Sequence, residues 1–69
     1  MKSLKVKVQV EQMSEGGWYA SIHEYRLSMG IKGCPLGRGS SVERAIKDLI
    51  YRVRIESNVH LDVIGKVYY

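Results

Sequence analysis

The chain has 69 residues, a formal net charge of +4 at pH 7, one cysteine, one proline and two histidines. Its length allows one domain around one small core, and its few cysteines and histidines exclude an internal disulfide and a four-ligand zinc site. The modest positive charge permits contact with nucleic acid or with an acidic partner, but it requires neither.

Two antiparallel strands are predicted at the start of the chain. Apolar residues occupy every second position from Leu4 to Val10 and alternate with polar residues, which is the period of a strand with one buried face. The Ser14-Glu15-Gly16-Gly17 segment then supplies the glycines of a tight hairpin turn. A second strand is predicted where Trp18, Ala20 and Ile22, which share the parity of a core face, alternate with Tyr19, Ser21 and His23.

The middle of the chain predicts a third strand followed by a loop. The apolar residues Leu27, Met29 and Ile31 alternate with Ser28, Gly30 and Lys32, again with the period of a strand. Residues 33–39 contain three glycines and the only proline, so this segment is predicted to be a loop.

A helix is predicted after this loop. Apolar residues recur at helical spacing, as Val42, Ala45, Ile46, Leu49, Ile50 and Val53. Ser40 or Ser41 can cap the helix, and Glu43 follows Ser40 at the spacing of a capping box. The spacing also predicts two ion pairs along the helix, Glu43 with Lys47 and Asp48 with Arg52, and a C-cap at Asn58.

A last strand is predicted where Val59, Leu61 and Val63 alternate with His60 and Asp62, with a bulge at Gly65 before Val67 and Tyr69. One helix covers one face of a sheet, so the order β-β-β-α-β predicts an α+β, two-layer sandwich. We expect a mostly antiparallel sheet with one helix packed on one face and the other face open.

Two stretches of the sequence, Gly17–Ile22 and Gly39–Ile46, resemble the HicB-like antitoxin family. The first is a glycine hairpin leading into an aromatic-containing strand, and the second has the pattern Gly-x-[Ser/Thr]-x-Glu-x-Ala at the start of an amphipathic helix. The resemblance implies a truncated ribonuclease H-like fold over one domain, residues 1–69. It also implies a non-enzymatic interaction module that neutralises a partner nuclease or toxin by occlusion.

The sequence departs from the family pattern in three places. His23-Glu24-Tyr25 stands where a Pro-Glu-Leu-like turn is common, and the segment from Gly33 to Gly39 is longer than usual. The operator-binding segment that many members carry after the last strand has no counterpart in residues 1–69, so we expect no autorepression. The first strand has Val6, Lys7, Val8 and Gln9 where a ribonuclease H enzyme places its first metal-binding acid, so we expect no catalysis, metal or cofactor.

The candidate partner-binding residues fall into three groups. Lys5, Lys7, Tyr19 and His23 share the open sheet face with Gln9 and Ser21, and Arg44, Lys47, Tyr51 and Arg54 form one stripe on the exposed side of the helix. Arg38 lies in Gly37-Arg38-Gly39-Ser40-Ser41, which could cradle a phosphate at a helix N-terminus. A solvated surface, a dimer interface and an ordinary helix cap are the competing interpretations.

Two other functions remain open from the sequence. The chain could be a small basic nucleic-acid-binding protein, or a viral or mobile-element inhibitor of a host nuclease. Cys34 is interpreted as a free loop thiol, which together with the strand-forming N-terminus predicts a cytoplasmic protein. The apolar runs are far shorter than the roughly 20 residues that span a bilayer, so we expect no membrane role. Because so short a chain has little core of its own, and because Tyr68 and Tyr69 lie on a short edge strand, we expect a homodimer.

Overall fold

The computed structural model describes all of residues 1–69 and has four strands and one helix, with a short 3₁₀ turn at Leu27–Met29. The elements are β1 (Lys2–Gln12), β2 (Trp18–Ile22), β3 (Leu36–Gly39), α1 (Val42–Ser57) and β4 (Val59–Tyr68). The sheet order is β3-β2-β1-β4, in which β1 is antiparallel to β2 and parallel to β4, and β2 is antiparallel to β3. The predicted α+β class and the β-β-β-α-β order are confirmed.

The hairpin between β1 and β2 forms where the glycine pair predicts it. The amide of Met13 donates to the carbonyl of Gly17 at 2.7 Å, and the amide of Gly16 donates to that of Met13 at 2.9 Å. Of the two glycines in this turn, only Gly16 has a positive φ, at 99°, so it alone provides the left-handed turn conformation. The turn sets Val10 opposite Ala20, which places the apolar residues of both strands on one face.

The prediction of a strand at residues 27–32 is wrong. Leu27–Met29 forms a 3₁₀ turn, and Gly30 ends it with φ at 75°. Ile31 is buried in the core, and its carbonyl accepts a hydrogen bond from the Tyr25 hydroxyl at 2.6 Å. Ile31 and the half-buried Met29 therefore anchor a loop to the core, whereas Leu27 is exposed.

The third strand lies instead within residues 33–39, where a loop is predicted. Strand β3 pairs with β2 so that Gly39 lies opposite Trp18 and Gly37 lies opposite Ala20. A Cβ added to Gly37 would lie 2.4 Å from the carbonyl oxygen of Ala45, and one added to Gly39 would lie 2.6 Å from the Ala45 nitrogen. The glycines are thus required by the close approach of α1 to this strand.

Helix α1 begins and ends at capping residues. The Ser41 hydroxyl accepts a hydrogen bond from the Arg44 amide at 3.2 Å, so Ser41 is the N-cap. The predicted capping box is wrong, because the Ser40 hydroxyl accepts from the Arg44 guanidinium rather than from the first turn of backbone. Asn58 ends the helix with φ at 54°, as predicted for the C-cap. Of the two predicted ion pairs only that of Asp48 with Arg52 forms, at 2.8 Å.

Strand β4 contains the predicted bulge. Val6 lies opposite Val63, but Lys7 lies opposite Gly65, so Ile64 is the extra residue. The extra residue reverses the alternation of side chains along β4. Beyond the bulge, Lys66 lies opposite Val8 on the helix side of the sheet.

The core lies between the sheet and α1. It consists of twelve buried apolar side chains, Val6, Val8, Val10, Ala20, Ile22, Ile31, Ala45, Ile46, Leu49, Val53, Val59 and Leu61. The half-buried Trp18 packs against these residues, in agreement with its core parity. The one helix has sixteen residues and does not have the length or the apolar character needed to cross a membrane.

Candidate binding surface

The sheet face that α1 leaves uncovered carries most of the predicted partner-binding residues. They come from neighbouring strands, with Lys5 and Lys7 on β1, Tyr19 on β2, His23 directly after it and Arg38 on β3. Lys5, Lys7 and Arg38 are exposed, and the two ring side chains are half-buried. We call this surface the open face.

Arg38 reaches the open face through a strand that the sequence does not predict. It lies opposite Tyr19 in the pairing of β2 with β3, while its glycine neighbours face the helix. Gly37 to Gly39 belong to β3, and the Ser41 hydroxyl accepts a hydrogen bond from the Arg44 amide, so the segment that could cradle a phosphate forms an edge strand and a helix cap.

Tyr19 is fixed in place by its cross-strand neighbour. Its hydroxyl donates a hydrogen bond to Glu11 Oε2 at 2.6 Å, and the two residues lie directly opposite each other on β2 and β1. This hydrogen bond raises the pKa of the Tyr19 phenol, and desolvation and the negative charge of Glu11 add to the rise. The ring is held as a neutral phenol in one orientation on the open face.

His23 is also held by its neighbours. Its Nδ1 atom lies 3.3 Å from Gln9 Oε1, and its Nε2 atom lies 3.6 Å from the Glu24 carboxylate. Glu24 adopts the left-handed conformation, with φ at 54°, in the turn that ends β2. The imidazole thus lies between an amide and a carboxylate at one end of the open face.

A basic cleft of about 210 Å³ lies at this end of the open face. Its lining consists of Lys5, Val6, Lys7, His23, Glu24, Arg26 and Met29. Three lysine and arginine side chains therefore surround a concave site that contains one carboxylate, an arrangement that attracts anionic groups. Arg26 is absent from the residues predicted from the sequence, because it follows the turn after β2 and belongs to no periodic pattern; its only signal is proximity to His23.

The charges of the open face are mixed. Lys5 lies directly opposite Asp62 of β4, and Glu11 lies beside Tyr19. The open face with its basic cleft thus has four lysine or arginine side chains (positions 5, 7, 26 and 38) and three carboxylates (positions 11, 24 and 62), a net charge of +1. Its positive potential is concentrated in the cleft.

The helix stripe lies on the other side of the molecule. Arg44, Lys47, Tyr51 and Arg54 are all exposed on α1, as the helical spacing predicts, but the sheet separates them from the open face. The structure therefore divides the predicted partner-binding residues into two opposed surfaces. A single flat partner can contact only one of them.

A second and larger cleft, of about 460 Å³, lies at the outer edge of β3. It is lined by Cys34, Pro35, Leu36, Arg38, Arg52 and Glu56. Its Arg52 guanidinium is already paired with Asp48, and Cys34 is a free, exposed thiol, as predicted. No three His, Cys, Asp or Glu side chains of the chain lie together in an arrangement that could hold a metal ion.

Comparisons of the chain with protein-family models, with curated proteins and with solved structures gave no match. The residues and geometry described above therefore provide the basis for assigning a function.

Proposed function

We propose that this chain is a small non-enzymatic protein-interaction module, similar to HicB antitoxins, that neutralises a partner nuclease or toxin by occlusion. The element order and the stretches Gly17–Ile22 and Gly39–Ile46 support the resemblance. The observation that carries the proposal is the open face, a polar surface formed by three neighbouring strands.

The open face is suited to contact with a folded protein. Two of its side chains, Tyr19 and His23, are held by hydrogen bonds to β1 before any partner arrives. Ordering of side chains is one of the costs of association, so a face that is already ordered binds at a lower entropic cost. A standard interface covers roughly 800 Å² per partner, which is less than a fifth of the accessible surface of the chain, 4578 Å².

The charge distribution indicates what kind of partner surface fits. The positive potential of the open face is concentrated in the basic cleft, and the rest of the face carries carboxylates as well as cations. We propose that an acidic projection of the partner enters the cleft while the flat part of the face covers the partner's active site. Complementary charge mainly fixes orientation and the rate of association.

Affinity capture with matched variants tests this proposal. We expect the tagged wild-type protein to retain one protein in stoichiometric amount after nuclease digestion of the lysate, and to inhibit the nuclease activity of that protein. Reversing charge in the basic cleft with Lys5→Glu and Lys7→Glu is expected to abolish retention. The double variant Arg44→Glu and Lys47→Glu, which changes the helix stripe by the same charge, is the control and is expected to retain the partner.

Two results would count against occlusion through the open face. One is a partner that the cleft variant retains and the helix-stripe variant loses, which would move the interface to α1. The other is the loss of all bound protein on nuclease digestion.

The second result would favour a second candidate, a basic nucleic-acid-binding protein. The basic cleft supports it, because Lys5, Lys7 and Arg26 could contact successive phosphates while Tyr19 stacks against a base. Fluorescence anisotropy with a labelled single-stranded oligonucleotide tests it. The affinity must fall steeply with salt, because phosphate contacts release counterions, and salt-independent binding would exclude this function.

A further inference from the structure

The two edges of the sheet differ in how their backbone groups are covered. Edge strand β3 has four residues, and on its outer side the amide of Arg38 donates to Asp48 Oδ2 at 2.9 Å. Edge strand β4 has ten residues, and no side chain of the protein forms a hydrogen bond with its backbone. The hydrogen bond from the Tyr69 amide to the Val10 carbonyl points inward to β1, so the alternation of the strand directs the Tyr68 amide outward.

Apolar side chains are concentrated along the same uncovered edge. Seven large apolar side chains of the protein are exposed, and three of them lie in β4 or directly after it. Ile64 is 59% exposed, Tyr68 is 61% exposed and Tyr69 is 68% exposed. A long edge strand with exposed apolar side chains pairs readily with another strand unless something covers it.

We infer that β4 pairs antiparallel with β4 of a second copy about a two-fold axis, which joins the two sheets into one of eight strands. A two-fold contact uses the same surface on both copies, so each copy covers the exposed edge of the other. The opposite edge cannot do the same, because Asp48 occupies the outer side of β3. This inference is independent of the proposed function.

The bulge in β4 selects the register of this pairing. Val63 and Lys66 lie on the helix side of the sheet, whereas Asp62 and Val67 lie on the open side. Directly opposed residues of antiparallel strands point to the same face. With the axis centred on the bulge, Val63 lies opposite Lys66 of the second copy, and both are on the helix side. Asp62 lies opposite Val67 of the second copy, and both are on the open side.

The same register also accommodates the side chain of Ile64, the extra residue of the bulge. It sets Ile64 opposite Gly65 of the second copy, where the absence of a side chain leaves room for the isoleucine. Space around Gly65 is limited only by the aliphatic part of Lys7, whose nearest atom would lie 3.6 Å from an added Cβ. The large exposed side chain and the glycine beside it are therefore complementary across the axis.

Sedimentation equilibrium with three charge variants tests the interface. We expect the wild type to dimerise, and Ile64→Lys or Tyr68→Lys to weaken the dimer by about tenfold or more. Tyr51→Lys is the matched control, because Tyr51 is 55% exposed on α1, and it is expected to dimerise as the wild type does. A wild type that stays monomeric at its highest soluble concentration, or a control that weakens the dimer as strongly, would overturn the inference.

Cross-linking tests the register separately. In a Cys34→Ser background, the double variant Asp62→Cys and Val67→Cys is expected to form a covalent dimer on mild oxidation. These positions are five residues apart on one strand, about 16 Å, so they cannot form a disulfide within one chain. Each single variant is the control and is expected to give little covalent dimer; a double variant that cross-links no better than the single ones contradicts this register.

Discussion

Gly37 and Gly39 carry no side chain because the backbone of α1 occupies the space in which a Cβ would lie. Atoms of a helix backbone cannot move aside as the end of a flexible side chain can. Any added carbon must therefore push α1 away from β3, which would open the core around Leu49.

Substitution of Gly37 by alanine is expected to destabilise the fold by about 3 kcal/mol, the upper range for overpacking of a well-packed site. Urea unfolding followed by circular dichroism measures the effect. Gly17→Ala is the matched control in the hairpin turn, because its Cβ would lie 2.7 Å from the flexible end of the Met13 side chain rather than from helix backbone. A loss from Gly37→Ala no larger than that from the control would show that the helix yields easily.

At the scale of elements, Asp48 joins α1 to the outer edge of β3. Its carboxylate accepts hydrogen bonds from the Arg38 amide at 2.9 Å and from Arg52 Nε at 2.8 Å. The bond from the Arg38 amide lowers the pKa of Asp48 the most, and the Arg52 side chain lowers it further. The ionised carboxylate therefore both protects the strand edge and holds the helix against it.

Asp48→Asn is expected to lower the free energy of unfolding at neutral pH. It is also expected to make this free energy less dependent on pH in the acid range. Because the pKa of Asp48 is lowered on folding, its contribution is present above the ordinary value near 3.8 and is lost as the pH falls through the lower folded value. Urea midpoints measured from pH 7 to acid are expected to converge for the two proteins. Glu15→Gln, at an exposed carboxylate without a hydrogen bond, is the control, and a pH-independent difference would contradict the prediction.

Most elements could be predicted from the sequence because their signals are local. The alternation in β1 and β2, the turn at Gly16 and the stripe of α1 each lie within a few residues of the structure that they specify. Strand β3 could not be predicted, because its glycines reflect the close packing of α1 against the strand, which leaves no period in the sequence. Residues 27–32 show the converse error, since Ile31 is apolar in order to anchor a loop.

The open face, too, could be predicted only in part. The alternation of side chains along β1 and β2 assigns Lys5, Lys7, Tyr19 and His23 to this face, because the hairpin fixes how the two strands pair. The position of Arg38 could not be predicted, because it depends on the pairing of β3 with β2. The contribution of Arg26 to the basic cleft could not be predicted either, because it depends on the path of an irregular turn.

At the scale of the whole molecule, one small core holds both layers together. Leu49 is fully buried at its centre, and the core of a domain of this size rarely supplies more than about 3–5 kcal/mol of stability. Leu49→Ala is expected to cost about 3 kcal/mol and to unfold a large share of the protein at physiological temperature. Thermal unfolding measures this loss; Ile55→Ala, at a residue 64% exposed on the same helix, is the control.

A small effect of Leu49→Ala, similar to that of Ile55→Ala, would show that the core does not depend on the contact of α1 with the sheet. The expected difference follows from burial alone, since both changes remove an aliphatic side chain from one helix.

The contact of β3 with α1 also affects how sequences with this architecture can be recognised. Gly37-Arg38-Gly39-Ser40-Ser41 looks like a nucleotide-binding loop before a helix, although its glycines are imposed by steric exclusion. Any homologue that keeps the helix at this distance from the strand must keep glycine at both positions, whatever it binds. A Gly-x-Gly pair directly before a serine-capped helix is therefore a search pattern for this packing, and it carries no information about ligands.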